Sequence, residues 1–182
     1  LGDFYVNDAF ATLHREDTSV TLVAEQFPQD QRTIGLLIEK ELKNLAQLLN
    51  DPEHPFVMLL GGGKPETKIP VISAFLGKAD TIIICPALSN TFAVAECNNI
   101  GVSLVANDLV AMAQTVIKKA KTSTTKIIMP TDYVVTDKTL KAPLRTVTQK
   151  NFPSDGIAVS LGPDSLKQAQ EVIAQAKTIF FN

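Results

Sequence analysis

The hydrophobic pattern of this chain switches repeatedly between short β-rich runs and longer amphipathic stretches, and that alternation limits the possible folds more than any other feature. Residues 56–60, 81–85, 102–105, 126–129, 157–161 and 178–181 are short, rich in Ile, Val and Phe, and bounded by Gly, Pro, Asn or Asp. Such runs read as buried strands. Between them, 68–78, 90–97, 108–121 and 164–177 read as helices. The last is the clearest: Pro163 and Asp164 mark its start, and Leu166, Ala169, Val172, Ile173 and Ala176 recur at helical spacing. Strand and helix in strict alternation predict an α/β fold, a parallel sheet covered on both faces.

Two segments break the rhythm. Residues 29–50 form one long helix candidate with Ile34, Leu37, Ile38, Leu42, Leu45 and Leu49 on one stripe. At 1.5 Å per residue it would be roughly 30 Å long, enough to bridge two domains. Asn50-Asp51-Pro52-Glu53-His54-Pro55 then ends it, and residues 1–28 hold one strand at 4–6, a polar loop and a turn. The chain starts without Met, enters a strand at once and stops at Asn182 directly after Ile179-Phe180-Phe181. Domain ends seldom fall at the exit of a buried strand, so the expectation is a segment of a longer protein.

Composition narrows the function classes. The 182 residues carry 17 Lys plus Arg against 19 Asp plus Glu, a formal charge of −2, with 45% hydrophobic and 20% charged residues. That apolar content suits a folded core rather than a disordered chain. No basic excess exists to displace counterions from a nucleic acid, so nucleic acid is not an expected partner. The longest strictly apolar run, Phe56 to Leu60, is far short of a membrane span. Cys85 and Cys97 lie outside any CxxC pair, and His14 and His54 stand forty positions apart. A His/Cys metal site is therefore not expected, while Mg²⁺ carried by a substrate phosphate stays open. The cysteine usage and the absence of a secretory pattern at Leu1-Gly2-Asp3-Phe4 set a cytoplasmic expectation.

Gly61-Gly62-Gly63-Lys64 follows the best strand and precedes a helix. Three glycines let backbone N–H groups approach a ligand closely, the helix start favours an anion, and a lysine there reaches a phosphate as a mobile point charge. The pattern fails as a Walker A loop, because position 58 is Met and Pro65 stands where Ser or Thr should hold Mg²⁺. The plainer alternative is a tight strand-to-helix turn with a solvated lysine. Lys68, four residues on, falls on the same side of an opening helical turn, with a surface lysine as its alternative. Asp132 after Pro130 reads either as a site residue at a strand's carboxyl end or as a cap. His14-Arg15 reads as an anion contact or a solvated loop.

Taken together, these residues resemble the phosphoglycerate kinase family. Leu1-Gly2-Asp3-Phe4-Tyr5-Val6-Asn7-Asp8-Ala9-Phe10 with Thr12, His14 and Arg15 is similar to its longest signature. Glu39-Lys40-Glu41-Leu42 resembles a stretch of its interdomain helix, and Pro55-Phe56 through Gly61-Gly62 with Lys64 and Lys68 resembles its lysine loop. Pro130-Thr131-Asp132-Tyr133-Val134, Gly162-Pro163-Asp164-Ser165 and Ala176-Lys177-Thr178-Ile179-Phe180-Phe181-Asn182 resemble further motifs, all in the family's order from end to end.

The resemblance implies a Rossmann-like three-layer parallel-sheet domain preceded by a connecting helix and a remnant of a second domain. By that match, residues 1–28 end a phosphoglycerate-binding domain, 29–50 are the interdomain helix and 51–182 are part of a nucleotide-binding domain. The implied reaction moves a phosphoryl group reversibly between 1,3-bisphosphoglycerate and Mg-ADP, giving 3-phosphoglycerate and ATP, in a monomeric glycolytic enzyme. Lys64 matches the lysine that follows the transferring group. Gly62, Gly63, Lys68, Gly162, Pro163 and Asn182 match nucleotide contacts, and Arg15 matches an arginine on the phosphoglycerate side. The resemblance assigns no metal ligand within the chain, and Mg would come with the nucleotide.

Three departures stand out. Cys85-Pro86-Ala87-Leu88 replaces a glycine run lining the base, Gly156 to Pro163 lacks the family's inner glycine, and Thr67 replaces an aspartate. The family's remaining phosphoglycerate contacts and its metal-contacting aspartate have no match in these residues, so the chain alone is expected to be inactive. The changed glycine run leaves a second reading, a degenerate binding module without catalysis.

Overall fold

Strand β1 (Tyr5–Asn7) begins the regular structure of residues 2–182, the part of the chain that a computed structural model describes, and pairs in parallel with β2 (Arg32–Ile34). Between them lie a 3-10 turn at Phe10–Thr12, helix α1 (Leu22–Glu25) and a second 3-10 turn at Gln29–Gln31. The long helix expected over 29–50 is therefore shorter: α2 runs Leu36–Asn50, 15 residues. The break has a local cause. Gly35 caps the helix without a side chain, and the carboxylate of Asp8, at the end of β1, accepts from Ile38 N at 3.0 Å in its place. A Cβ on Gly35 would run into that carboxylate. Arg32-Thr33-Ile34 is thus drawn into a strand beside β1 rather than into the helix.

This first unit ends at Pro52, and a second spans Glu53–Asn182. The second is built on β3 (Phe56–Leu60), β4 (Thr81–Ile84), β5 (Lys126–Ile128) and, much later in the chain, β9 (Thr178–Phe181). They form an all-parallel sheet in the order β5-β4-β3-β9, with Leu60 beside Ile84 and Leu59 beside Phe181. The intervening helices are α3 (Pro65–Phe75), α4 (Leu88–Ala95) and α5 (Val110–Ala120), which pack against one another. Strand alternation divides the core. Val57, Ile83 and Ile128 face Ala169, Val172, Ile173 and Ala176 around α6 (Pro163–Ile173). The opposite set, Phe56, Met58, Leu60, Ile82 and Ile84, is fully buried, and the Phe56 ring meets Phe75 of α3 edge-on at 5.9 Å. Burial of each such side chain contributes about 1.5–3 kcal/mol. The α/β three-layer expectation holds.

The strand expected at 157–161 joins a different sheet. β8 (Gly156–Leu161) lies antiparallel to β6 (Asp132–Asp137), which also pairs with β7 (Arg145–Thr148). Tyr133 and Val135 of β6 are buried with Ala93, Ile100 and Phe152, and the Tyr133 and Phe152 rings meet at 5.5 Å. Burial pushes the Tyr133 hydroxyl up to about 12. The strand expected at 102–105 is a loop, because its polar atoms serve neighbours rather than a ladder. Asn90 Nδ2 donates to Leu104 O at 3.1 Å and Ala158 N donates to Ser103 Oγ at 2.9 Å.

Candidate functional site

Parallel strands end on one side, so the carboxyl ends of β3, β4 and β9 converge. There Cys85 N donates to Leu60 O at 2.8 Å, Asn182 N to Leu59 O at 3.0 Å and Gly61 N to Asn182 O at 3.0 Å. The turn from β3 into α3 is Gly61-Gly62-Gly63-Lys64. Gly62 sits at φ +93°, a conformation L side chains rarely adopt, and a Cβ on Gly63 would meet nothing within 4 Å. The loop is thus open on its outer side, where backbone can approach a ligand. Gly61 is needed for a different reason, since a Cβ there would press on the Cys85 side chain.

Lys64 occupies the cap position of α3, with Pro65 as the first helical residue, and its side chain is exposed. Proline at that position forgoes no hydrogen bond the helix would make. Lys68, one turn on, is half-buried and donates through its ammonium to Asn182 Oδ1. The two line a pocket of about 120 Å³ with Leu60, Thr67, Val71 and Phe180. The fold therefore gathers Gly62, Gly63, Lys64, Lys68 and Asn182 at the ends of β3 and β9. The sequence places Thr67 only as a replaced aspartate and Phe180 only within the last motif; Val71 it does not single out, although its i, i+3 spacing from Lys68 is the available signal.

The turn after β4 is Cys85-Pro86-Ala87-Leu88. Burial pushes the Cys85 thiol above its ordinary range, Pro86 O accepts from Gly62 N at 3.4 Å, and Leu88 is fully buried. Ala87 stands at φ +68°, strained for a residue with a Cβ. Ala87→Gly is expected to raise stability by about 0.5–1 kcal/mol, measured as a shift in denaturation midpoint at unchanged slope. A lower midpoint would mean that the alanine methyl packs usefully.

Gly162 and Pro163 have a different setting. They form the turn from β8 into α6, where Gly162 N donates to Asp132 O at 3.0 Å and a Cβ on Gly162 would run into the Asp132 carboxylate. Asp132 itself opens β6 rather than closing a strand, and its carboxylate caps α6, accepting from Asp164 N at 3.1 Å and Ser165 N at 2.8 Å. Ser165 Oγ adds a donor at 2.6 Å. Burial pushes the Asp132 carboxyl up, but these donors outweigh it and hold the group below its ordinary 3.8. Arg15 lies in the first unit, exposed and paired with Asp17, Nε to Oδ2 at 3.1 Å.

Comparison with known proteins gives one family. The sequence profile described as Phosphoglycerate kinase matches residues 1–182. The phosphoglycerate kinase of Lactiplantibacillus plantarum is 39% identical over 182 residues, covering 100% of this chain and 44% of that protein. That of Porphyromonas gingivalis is 35% identical over 183 residues, again covering 100% and 44%. Among solved structures, phosphoglycerate kinase from Coxiella burnetii superposes with a TM-score of 0.90 at 32% identity, over 100% of this chain and 46% of its own. The enzyme from Pyrococcus horikoshii, at 24% identity and a TM-score of 0.82, shares the fold. The chain spans under half the length of these relatives. A profile match over residues 1–182, relatives 35% and 39% identical and a shared three-layer fold agree: the chain belongs to the phosphoglycerate kinase family.

Proposed function

We propose that this chain carries the nucleotide side of a phosphoglycerate kinase, in which a phosphoryl group passes reversibly between 1,3-bisphosphoglycerate and ADP to give 3-phosphoglycerate and ATP. The observation that carries the reading is the convergence of an open glycine turn, two lysines and Asn182 at the ends of β3 and β9. Phosphoryl transfer asks the protein for positioning and charge neutralisation more than for covalent chemistry. Backbone at Gly62 and Gly63 approaches the phosphates, Lys68 neutralises their charge, and the exposed Lys64 follows the phosphoryl group as it moves. The P–O bond to the acyl oxygen breaks with its electron pair left on the carboxylate. A new P–O bond forms to the terminal oxygen of ADP, and no proton is gained or lost.

Among the described residues no group of three or more His, Cys, Asp or Glu could hold a metal ion; magnesium enters this reading as part of the nucleotide substrate, on its phosphate oxygens. Residues 1–28, 29–50 and 51–182 are assigned to the phosphoglycerate-binding domain, the connector and the nucleotide domain, in a monomeric cytoplasmic enzyme. Gly162 and Pro163 are assigned to the nucleotide and Arg15 to the phosphoglycerate. No described helix is long and apolar enough to cross a membrane. The 182 residues alone are proposed to be inactive, since only Arg15 among them is assigned to the phosphoglycerate.

The test is a coupled assay of ATP formation from 1,3-bisphosphoglycerate and Mg-ADP with the full-length protein. Saturable turnover is the expected result. Absence of turnover together with absence of saturable Mg-ADP binding would overturn the reading. Binding without turnover would favour a kinase-like binding module, which the strained and substituted Cys85-Pro86-Ala87-Leu88 turn motivates.

A further inference from the structure

β7 has a neighbour on one side only, in a sheet ordered β7-β6-β8. No backbone group of 145–148 bonds outside the β6 ladder among the described residues. An antiparallel edge strand turns alternate N–H and C=O groups away from its one neighbour, so β7 offers free partners to a further strand. The hairpin that leads into β7 is held by one side chain. The Asp137 carboxylate accepts from Thr139 N at 3.1 Å, Thr139 Oγ1 at 2.8 Å, Lys141 N at 3.2 Å and Ala142 N at 3.3 Å. Held this way, the segment presents Leu140 at 65% and Leu144 at 67% exposure. Leu140 stands at φ +60°, where glycine would fit better. Strain of that kind persists only where the surroundings enforce it, and it gathers at binding surfaces. A cavity of about 380 Å³ opens beside the hairpin, lined in part by Ala142, Pro143, Leu144, Arg145 and Asp155.

Charge is uneven here as well. Residues 138–154 carry Lys138, Lys141, Arg145 and Lys150 and no acid, in a chain of formal charge −2. All four cations are exposed, and none pairs with a carboxylate among the described residues. The acid that precedes them, Asp137, is committed to the amides of its own loop. These features select an occupant. A free edge takes extended backbone, uncompensated cations take carboxylates, and exposed leucines take apolar side chains. Nucleic acid fits less well, because Phe152, the one aromatic residue of 138–154, is buried and leaves no platform for stacking a base.

We propose that β7 and its hairpin form a docking surface for an acidic, extended segment of a partner protein. The segment adds as a strand to the free edge of β7, with Arg145 and Lys150 at the two ends of that edge and Lys138 and Lys141 in the hairpin to receive its carboxylates. β6 runs from Asp132, beside the Gly162 turn, to Asp137, so the surface lies at the opposite end of that strand from the turn and does not rest on the phosphoryl-transfer reading.

The experiment is fluorescence anisotropy of the full-length protein with a fluorescein-labelled decapeptide of alternating Glu and Val. Saturable binding is expected, and the double substitution Lys141→Glu with Arg145→Glu should weaken it at least about tenfold. Leu140→Gly suits the backbone at that position, so it should keep the denaturation midpoint while weakening binding about 3–10-fold. A peptide N-methylated at every second residue loses the donors of one edge and should not bind. No saturable binding of the first peptide would overturn the proposal. So would equal binding of the N-methylated peptide or of a Lys-Val decapeptide, which removes strand pairing or charge from the account. Tighter binding of a ten-residue oligothymidylate would assign the surface to nucleic acid and overturn it too.

Discussion

Lys64→Ala in the full-length protein is expected to lower kcat by about 10²–10³-fold, the usual scale for removing one charge-stabilising group, while Mg-ADP affinity changes by less than about threefold. The argument rests on how differently the two lysines of the turn are held. Lys68 is half-buried and bonded to Asn182. Lys64 stands at the junction between the open glycines and α3, exposed, and makes no side-chain hydrogen bond or ion pair among the described residues. An ammonium that is not committed in the ground state contributes most where charge develops, and interactions made only in the transition state raise kcat rather than affinity. Lys64→Arg keeps the charge but replaces a compact ammonium with a planar fork, so only partial recovery is expected. Equal losses of turnover and nucleotide affinity would sink the assignment and make Lys64 an ordinary binding residue.

The parts of this molecule legible in the sequence are those governed by local pattern. Continuous apolar runs located β3, β4, β5 and β9 to within a residue; β3 and β4 are buried on both faces and need no alternation, while β9 keeps an apolar run although Ile179 and Phe181 are exposed. The glycine turn was visible for the same reason, as three residues without side chains between a strand and a helix. What escaped depends on distant partners. The short strand Arg145–Thr148 has little apolar content and forms only because β6 lies beside it. The start of α2 is set by Asp8, 30 positions away from the amide it caps. At the site, Lys64 and Lys68 came from one local motif, but the bond from Lys68 to Asn182 follows only from the parallel pairing of β3 with β9. Asp132 was ambiguous in sequence, a site residue or a cap, and the structure gives it a capping task that local spacing cannot encode.

That task makes Asp132 the position where a single substitution should cost most stability. One carboxylate, 3% exposed, serves Asp164 N, Ser165 N and Ser165 Oγ, and its own backbone carbonyl accepts from Gly162 N. It thereby ties the start of β6 to the end of β8 and to the first turn of α6, where a negative charge also suits the helix dipole. Asp132→Ala leaves Asp164 N and the buried Ser165 N without their acceptor, while Ser165 Oγ keeps only the Asp132 carbonyl at 3.2 Å, and it is expected to cost about 3 kcal/mol. Asp132→Asn keeps the shape but turns an amide NH₂ toward one of those donors, so it should cost somewhat less. The pH dependence separates charge from shape. The folded carboxyl titrates below its ordinary 3.8, so the stability it contributes is fully present above the unfolded value, and is lost as pH falls through the lowered folded one. Chemical denaturation of the wild type and of Asp132→Asn at neutral pH and near pH 3 should therefore show the gap between them narrowing in acid. A gap of the same size at both pH values would mean that the lost charge contributes nothing, and that the defect of the variant is one of packing alone.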